Sequence, residues 1–212
     1  MSSDVLNTSW VEGNNPAVLQ EIHRTQVNIA IYNRNLNEMR KELELLSKEM
    51  IEFRSSGDLL SIFSDIENAG ELAPFESIRE DLKKLLRLFS DVSEADIFRV
   101  FFAVVTTNMC RKFHADINDL RMLCTYRGPG TLWVAEDLEE AQIKREKLVD
   151  DPSSIDTNRI HKAQPGDVLL MKGAIYPKEG FIPVLHRSPI LEGDESTRIL
   201  LRIDTDQFAN FS

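Results

Sequence analysis

Two histidines and one aspartate form the pattern in this sequence that best fits metal chemistry. His114 and Asp116 are separated by a single residue, and His186 follows much later in a segment of strand-like sequence. Two histidines and one carboxylate leave several positions open on a divalent metal for a substrate, a cosubstrate or oxygen. We therefore take His114, Asp116 and His186 as the candidate metal ligands. The alternative is that Asp116 only fixes a structural histidine through a hydrogen bond.

Strand geometry decides whether these three side chains can meet. Successive side chains on a strand point to opposite faces, so His114 and Asp116 share one face. If that face and the face of His186 meet inside a barrel, the three ligands converge on one side of a metal. A shared ion also requires the two histidine nitrogens to lie within about 6 Å of each other, because metal–nitrogen bonds are about 2.1 Å long.

The two cysteines offer a second kind of ligand. Thiolates select zinc, and the even spacing from Cys110 to His114 puts both on one face of a strand that begins early enough. For Cys110 and Cys124 alike, a free cysteine that packs as a small hydrophobic residue is the more common state. Two cysteines are too few for a disulfide framework and fit a reducing compartment, so we expect both thiols to be free.

The final strand-like segment offers residues that could bind a carboxylate. Arg198, Leu200 and Arg202 alternate with isoleucine and leucine, so one strand face carries two guanidinium groups. A guanidinium grips a carboxylate through two parallel hydrogen bonds and would orient a 2-oxo acid whose other end chelates the metal. We choose Arg198 over Arg202 for this role. The alternative is a polar face on an edge strand that is simply solvated.

Lys172 and Tyr126 complete the candidate cosubstrate-binding residues. Lys172 ends a strand-like segment and is another candidate anchor for a carboxylate, although a surface lysine is the more common outcome. Tyr126 precedes the run Gly128-Pro129-Gly130, which could shape a rim around the substrate. The usual structure of such a run is a tight turn.

The segments that must position these residues change in character near residue 110. Before it, apolar residues recur mainly at helical spacing. The predicted helices cover residues 35–50, 58–67, 76–89 and 93–107, and residues 27–32 are a candidate for a lone strand. The helix over 93–107 opens on a capping box formed by Ser93 and Asp96. It is apolar nearly all round, so we expect it to be buried.

After residue 110 the pattern becomes short strand-like runs separated by turns. Counting the segment around His114, seven strands are predicted, with the others at residues 120–126, 131–134, 159–163, 167–172, 182–186 and 198–203. An acidic helical insert is predicted over residues 136–148. Closely spaced short strands favour a β-sandwich or barrel with helices packed outside it. The expected organisation is α+β, with a flexible tail at 1–16, a mainly helical part at 17–109 and a β core at 110–212.

Composition and charge exclude several classes of partner. The chain has 25 basic and 35 acidic residues, a net charge of −10, and no basic run interleaved with aromatics that would track phosphates. We therefore expect neither nucleic acid nor an anionic membrane as a partner. The N-terminus lacks a secretory signal pattern, and the most apolar stretch, residues 97–105, is far shorter than the roughly 20 residues that span a bilayer. The expected location is the cytoplasm.

The order of these motifs resembles a known enzyme superfamily. A His-x-Asp motif, a Gly-Asp-Val-Leu-Leu strand at Gly166–Leu170, a distal histidine and an arginine on the final strand resemble the double-stranded β-helix of Fe(II)- and 2-oxoglutarate-dependent oxygenases, a cupin-like fold. The resemblance covers about residues 110–204. Several segments also resemble a bacterial family known only as a domain of unknown function: Cys110–Asp116, Leu123–Thr131, Gly166–Val168 with Lys172-Gly173, and His186–Pro189.

This resemblance implies a fold and an activity. The β core would be a C-terminal double-stranded β-helix, or jelly roll, with an N-terminal helical layer. Fe(II) held by His114, Asp116 and His186 would bind 2-oxoglutarate, whose oxidative decarboxylation drives hydroxylation of a small-molecule or peptide substrate. Two positions depart from the superfamily pattern: Arg187 directly follows the distal histidine, and Leu200 replaces the usual hydroxyl residue after the arginine. The alternatives are a non-catalytic zinc-binding protein on the same fold and an interaction module.

Overall fold

Ten strands form the framework that positions the candidate site. A computed structural model describes residues 8–135, 155–193 and 196–206. In these residues the strands are β1 (Trp10–Gly13), β2 (Ile29–Tyr32), β3 (Glu52–Gly57), β4 (Phe98–Val105), β5 (Leu120–Arg127), β6 (Leu132–Val134), β7 (Ile160–Lys162), β8 (Val168–Lys172), β9 (His186–Arg187) and β10 (Arg198–Thr205). The predicted acidic helix over residues 136–148 lies outside the described residues.

The strands are arranged in two sheets. The larger sheet has seven strands in the order β1-β2-β8-β5-β10-β4-β3, and the smaller sheet has three in the order β7-β6-β9. β1 pairs with β2 in parallel, and the remaining pairs are antiparallel. β10, which carries the two candidate arginines, is therefore a central strand flanked by β5 and β4.

Helices cover one face of the larger sheet. They are α1 (Arg40–Leu46), α2 (Leu59–Asn68) and α3 (Glu76–Ser93), with short 3-10 helices at Pro16–His23, Asn37–Met39, Gly70–Leu72 and Thr157–Arg159. The predicted apolar stripe of α3 is confirmed, because Ile78, Leu82, Leu85 and Phe89 are at most 1% exposed and pack in the main core. Among the described helices, none is long and apolar enough to span a bilayer.

Each strand of the larger sheet divides its side chains between two cores. In β10, Ile199, Leu201 and Ile203 pack in the core that the helices cover, whereas Leu200 packs in a second core. That second core also contains Trp133 from the smaller sheet. Side chains alternate in this way because a strand has a two-residue repeat. The space between the two sheets is thus separate from the helix layer, and the candidate metal ligands belong to the inter-sheet side.

Four strands precede residue 110, so the predicted division into a helical part and a later β core does not describe the sheet. β1 lies within the segment expected to be a flexible tail, and β2 belongs to the larger sheet instead of standing alone. Of the helix predicted over 35–50, the structure has the short 3-10 helix Asn37–Met39 and α1. β3 and β4 complete the sheet beyond β10, which means that residues from both halves of the chain build one β framework.

The segment predicted as a buried helix over 93–107 is the strand β4. Phe98 and Phe102 pack in the helix-side core, and Phe101 packs in the inter-sheet core. A strand that is buried on both faces has a continuous apolar sequence, which periodicity cannot separate from a buried helix. Ser93, taken as the cap of that helix, is instead the last residue of α3.

Most of the strands predicted after residue 110 are present. β5, β6, β7, β8 and β10 correspond to predicted segments. The segment 182–186 contributes only His186 to β9, and the segment around His114 forms a single bridge to His186 instead of a strand. This bridge places the candidate ligands at the end of the smaller sheet.

The turn after β5 carries the chain from the larger sheet to the smaller one. Gly128 has a φ of +83°, and a Cβ atom there would lie 2.2 Å from the carbonyl oxygen of Thr197. A Cβ atom on Gly130 would lie 1.9 Å from the carbonyl oxygen of Ala163. Only glycine fits these two positions. The Gly128-Pro129-Gly130 run is therefore a close-packed turn between the sheets.

Candidate metal centre

A backbone bridge brings the two candidate histidines together. The His114 N–H donates to the His186 carbonyl at 3.1 Å, and the His186 N–H donates to the His114 carbonyl at 3.0 Å. Residues that exchange two such bonds stand directly opposite each other, with their side chains on one face. The two ring centroids are 4.8 Å apart. The bridge thus joins two residues that are far apart in sequence into one site.

Backbone carbonyls orient both imidazole rings. Nδ1 of His114 lies 2.9 Å from the carbonyl oxygen of Lys112, and Nδ1 of His186 lies 3.4 Å from that of Val184. A carbonyl can only accept, so in the neutral imidazole the proton sits on Nδ1 and the Nε2 lone pair is free. Metal-binding histidines commonly donate their second ring nitrogen to a carbonyl in this way. Both Nε2 atoms are therefore suitable ligands.

Asp116 lies beside both Nε2 atoms. Its Oδ1 is 3.6 Å from Nε2 of His114, and its Oδ2 is 3.1 Å from Nε2 of His186. One ligand atom from each of the three residues lies within 4.8 Å of the others. Asp116 Oδ2 is buried and is paired with Arg121 as well as with Nε2 of His186. A carboxylate next to two imidazole nitrogens fits a divalent cation.

The neighbours of Asp116 keep it ionised. Burial raises the pKa of this carboxyl group, but His186, Arg121 and His114 outweigh burial and hold the pKa below its usual value. Asp116 therefore carries a negative charge at neutral pH. A metal-binding carboxylate must be in that deprotonated state.

Arg121 on β5 joins the metal ligands to the larger sheet. It forms an ion pair with Asp116 and donates to Asp204 through Nε at 2.5 Å and through Nη2 at 3.2 Å. Asn118 donates to the same Asp204 carboxylate at 3.0 Å. Sequence reasoning missed Arg121. The available signal was a charged residue between the apolar residues at the start of this strand.

Arg198, the predicted carboxylate anchor, lines the same cavity as both histidines and is only 2% exposed. Its guanidinium donates to the Thr125 hydroxyl at 3.2 and 2.7 Å and to the Thr131 hydroxyl at 2.6 Å. Among the described residues, no carboxylate pairs with it. Burial lowers the pKa of Arg198 to about 10. The alternative of a solvated edge strand is wrong at this position, because β10 is central and Arg198 is buried.

Arg202 lines the cavity as well, and its side chain is 32% exposed. Its Nε lies 3.2 Å from Oδ2 of Asp204, as an ion pair without a hydrogen bond. The cavity has a volume of about 60 Å³. That space holds an ion and a few water-sized groups, so part of a cosubstrate and the body of a substrate would lie at its mouth.

The sequence matches a known family over most of its length. Residues 13–204 match the family described as "Protein of unknown function (DUF1826)". The chain belongs to the DUF1826 family. No curated protein matches this DUF1826 chain significantly.

Solved structures show a fold similar to that of the DUF1826 protein. The dioxygenase for auxin oxidation 1 from Arabidopsis thaliana, solved with 2-oxoglutarate, is 10% identical and aligns over 92% of this chain and 91% of its own, with a TM-score of 0.50. A bsmA homolog from Methylobium petroleophilum is 12% identical over 96% of this chain and 96% of its own, with a TM-score of 0.47. A Pseudomonas putida prolyl-4-hydroxylase is 12% identical over 90% of this chain and 93% of its own, with a TM-score of 0.46. The first likeness shows a mixed α+β fold with a large sheet, similar to the jelly rolls of 2-oxoglutarate-dependent oxygenases.

Two predicted cosubstrate residues of the DUF1826 protein lie outside the cavity. Tyr126 donates from its hydroxyl to Oδ2 of Asp81 at 2.6 Å, on the helix side of the larger sheet. Lys172 is buried on the same side and donates to the Arg24 carbonyl at 2.8 Å. Strand alternation places Thr125, the residue before Tyr126, on the cavity side instead. The positions of Tyr126 and Lys172 therefore do not support a role in cosubstrate binding.

The two cysteines of the DUF1826 protein lie in different surroundings. Cys110 is exposed and lines the cavity that contains His114 and His186. Cys124 is buried in the helix-side core, and burial raises the pKa of its thiol to about 11. Both thiols are free, as predicted. Only Cys110 is placed where it could reach a metal at this site.

Proposed function

We propose that this DUF1826 protein is a non-haem Fe(II)- and 2-oxoglutarate-dependent oxygenase. His114, Asp116 and His186 would hold the metal, and Arg198 would bind a carboxylate of 2-oxoglutarate. One observation carries the proposal: the two histidines of a potential three-ligand metal set line the same cavity as a buried arginine that has no carboxylate partner among the described residues. The likeness in fold to an oxygenase solved with 2-oxoglutarate supports it.

The ligand set favours an open catalytic metal over a closed structural one. Two imidazoles and a carboxylate leave positions free for a chelating cosubstrate and for oxygen. Structural zinc sites instead have four protein ligands. When bound, Fe(II) would supply the oxidation, in which 2-oxoglutarate and O2 give succinate and CO2 while one oxygen atom enters the substrate. The residues of the protein would orient the metal ligands. Arg121 forms an ion pair with Asp116, and the Lys112 and Val184 carbonyls accept hydrogen bonds from the two imidazoles.

Arg198 is prepared to bind an anion. Burying a guanidinium without a counter-charge costs free energy. The hydroxyls of Thr125 and Thr131 accept its hydrogen bonds and fix its plane, but they leave its charge uncompensated. With a pKa of about 10, Arg198 stays protonated at neutral pH. A carboxylate that enters the cavity would therefore gain a charge-assisted pair.

A second candidate function is zinc binding without catalysis. Cys110 lines the same cavity as His114 and His186. Its thiolate, together with Asp116 and the two imidazoles, would complete a four-ligand site of the kind that structural zinc occupies. In that case Arg198 would not bind a cosubstrate.

Metal analysis and a succinate assay on anaerobically purified protein separate these functions. The oxygenase predicts Fe(II)-dependent conversion of 2-oxoglutarate to succinate that is lost in His186→Ala and unchanged in Cys110→Ser. The zinc protein predicts tightly held zinc that Cys110→Ser releases. Bound zinc with no succinate formed from 2-oxoglutarate, even after exchange for Fe(II), would contradict the oxygenase.

Tryptophan fluorescence offers an independent readout of metal binding. Trp133 stands directly opposite His186 across β6 and β9, and the other of the two tryptophans, Trp10, lies 5.6 Å from Trp133 between ring centroids. Paramagnetic Co(II) at the proposed site should quench this emission. The His186→Ala variant should not be quenched, whereas Arg40→Gln, an exposed position on α1, should behave as wild type.

A further inference from the structure

Arginine is the most frequent residue type in the lining of the cavity that contains His114 and His186. Arg121, Arg187, Arg198 and Arg202 all line it, and the carboxylates of Asp116 and Asp204, which pair with Arg121, offset only part of this charge. The chain as a whole has a net charge of −10. A cavity that is positive in an acidic protein raises the local concentration of anions at that one place.

Once Arg198 is assigned to 2-oxoglutarate, Arg202 has fewer carboxylate partners than Arg121, the other cavity arginine on the strands of the larger sheet. Arg121 pairs with two carboxylates, and the proposed function assigns Arg198 to 2-oxoglutarate. Arg202 has only Asp204, whose oxygens already accept hydrogen bonds from Arg121 and Asn118. The buried Nε of Arg202 makes no hydrogen bond to a described residue. Its donors are therefore available to a ligand.

Phe101 orders Arg202 together with another arginine. The strand register places Arg54, Phe101 and Arg202 side by side on β3, β4 and β10. The guanidinium carbons of Arg54 and Arg202 lie 4.4 and 5.3 Å from the Phe101 ring centroid. Stacking on an aromatic ring holds a guanidinium in a fixed plane and leaves its N–H edge available for hydrogen bonds. Arg54 is 61% exposed and donates from Nε to Glu52 at 2.8 Å, so it is the outer and partly paired member of this row.

The charges in this row disfavour one another when no anion is present. Burial lowers the pKa of Arg202, and the nearby Arg121 and Arg54 lower it further, against the opposite effects of Asp204 and Asp116. An oxyanion bound to Arg202 would offset that repulsion. The positive charges of this row therefore favour the binding of a negatively charged group.

The Arg202 position is separate from the one assigned to 2-oxoglutarate. Arg198 and Arg202 lie four residues apart on one face of β10, which separates their backbone positions by about 13 Å. A cosubstrate carboxylate on Arg198 leaves Arg202 unoccupied. The cavity, at about 60 Å³, also leaves the rest of a substrate outside it.

We propose that Arg202, supported by Arg54, binds an oxyanion group of the substrate, and that the substrate of this protein is therefore acidic. The group is a carboxylate or a phosphate. The claim that this anion is part of a substrate rests on the proposed function. The anion subsite itself does not require turnover and can be tested on protein that carries zinc.

The test titrates inorganic phosphate and, separately, acetate into zinc-loaded protein in the presence of N-oxalylglycine, an unreactive analogue of 2-oxoglutarate. Isothermal titration gives the Kd of each anion. We expect one bound anion per chain in wild type. Arg202→Gln should weaken binding at least tenfold, or ~1.4 kcal/mol. Arg202→Lys should recover part of the affinity, because it keeps the charge but loses the planar fork.

Arg54→Gln and Arg40→Gln provide graded controls. Arg54 is the outer member of the row, so its variant should weaken anion binding by about threefold, roughly half of the free-energy effect at Arg202. Arg40 is 81% exposed on α1, and its variant should bind as wild type does. The anion that binds more tightly, phosphate or acetate, identifies the group that the substrate carries.

Failure of this inference is distinguishable from failure of the proposed function. No binding of either anion to wild type, or the same Kd in Arg202→Gln, overturns the subsite. If Arg202→Gln loses its zinc, an unchanged Kd in Arg202→Lys and Arg54→Gln overturns it equally. Anion binding that depends on Arg202 while N-oxalylglycine does not bind keeps the subsite and rejects the assignment of Arg198 to 2-oxoglutarate.

Discussion

Two buried arginines lie on opposite faces of the larger sheet and differ in what they are paired with. On the helix side, Arg34 donates to both oxygens of Asp81, at 2.5 and 2.8 Å. On the cavity side, among the described residues, Arg198 donates to the hydroxyls of Thr125 and Thr131 and to no carboxylate. Arg34 thus has a counter-charge, and Arg198 has none within the described part of the chain.

Their pKa values reflect this difference. Burial by itself lowers the pKa of Arg34, but Cys124, Asp81 and Tyr126 outweigh burial and raise the pKa above its usual value. Burial lowers the pKa of Arg198 to about 10, and no carboxylate offsets the effect. A buried arginine that is paired inside the protein contributes to the fold, whereas an unpaired one beside a metal site is prepared for a ligand. Substitutions on the two sides should therefore have opposite consequences.

The largest effect should come from removing the counter-charge on the helix side. Asp81→Ala leaves the guanidinium of Arg34 and the hydroxyl of Tyr126 without their acceptor in the interior. Breaking a buried pair in this way costs about 3–5 kcal/mol. Chemical denaturation should show that loss, and Asp91→Ala, at an exposed position on the same helix, should change stability little. A loss below about 1 kcal/mol for Asp81→Ala would show that the pair does not hold the fold.

On the cavity side, Arg198→Met should affect ligand binding and leave the fold intact. It removes a buried charge that lacks a carboxylate partner, so the free energy of unfolding should stay the same or rise slightly. The affinity for 2-oxoglutarate should fall by about 30-fold, or ~2 kcal/mol, because a desolvated ion pair is lost. Calorimetric titration of metal-loaded protein measures this. A destabilisation as large as that of Asp81→Ala, with 2-oxoglutarate binding intact, would refute the comparison.

A smaller effect is expected at Tyr126. Tyr126→Phe removes one donor to Asp81 and should cost about 1 kcal/mol of stability. Because this hydroxyl faces the helices, the Kd for 2-oxoglutarate should not change. Thr125→Val, one residue earlier and on the cavity side, should instead weaken 2-oxoglutarate binding, since it removes an acceptor of Arg198. If Tyr126→Phe weakened 2-oxoglutarate binding and Thr125→Val did not, the two faces of β5 would be assigned incorrectly.

Lys172 supplies the smallest effect, one that depends on pH. Burial, with a contribution from Lys178, lowers the pKa of Lys172 from 10.5 to about 8. The native state therefore disfavours the charged form, so the stabilising contribution is fully present above pH 10.5 and is lost as the pH falls through about 8. Relative to Lys172→Met, the wild-type protein should gain about 1 kcal/mol between about pH 8 and about pH 9, where the native state has largely lost this proton and the unfolded state still holds it. Denaturation curves at several pH values test this, and a difference that does not vary with pH would contradict it.

The candidate metal ligands and the candidate carboxylate anchor could be proposed from sequence because their signals are local. The His-x-Asp spacing, and the alternation of Arg198 and Arg202 with apolar residues, need only neighbouring positions to be read. That Arg198 is buried could not be predicted, since it depends on β4 and β5 flanking β10. The hydrogen bond from Arg198 to the Thr131 hydroxyl could not be predicted either, because the turn between the sheets brings these two residues together.

The errors of sequence reasoning have equally specific causes. Tyr126 and Lys172 were chosen by type, but their strand positions place them on the helix side. β4 was predicted as a helix because burial on both faces removes the two-residue alternation. The pair of Arg34 with Asp81 joins a loop to α3 over a long sequence separation, and no local pattern signals it.

The most direct test of the metal and cosubstrate assignment is visible absorption during titration of 2-oxoglutarate into anaerobic, Fe(II)-loaded protein. Chelation of Fe(II) by a 2-oxo acid produces a metal-to-ligand charge-transfer band. We predict that the band appears in wild type, is absent in His186→Ala, and in Arg198→Met requires a 2-oxoglutarate concentration higher by about 30-fold. Full Fe(II) loading of wild type with no such band and no succinate would contradict the oxygenase assignment.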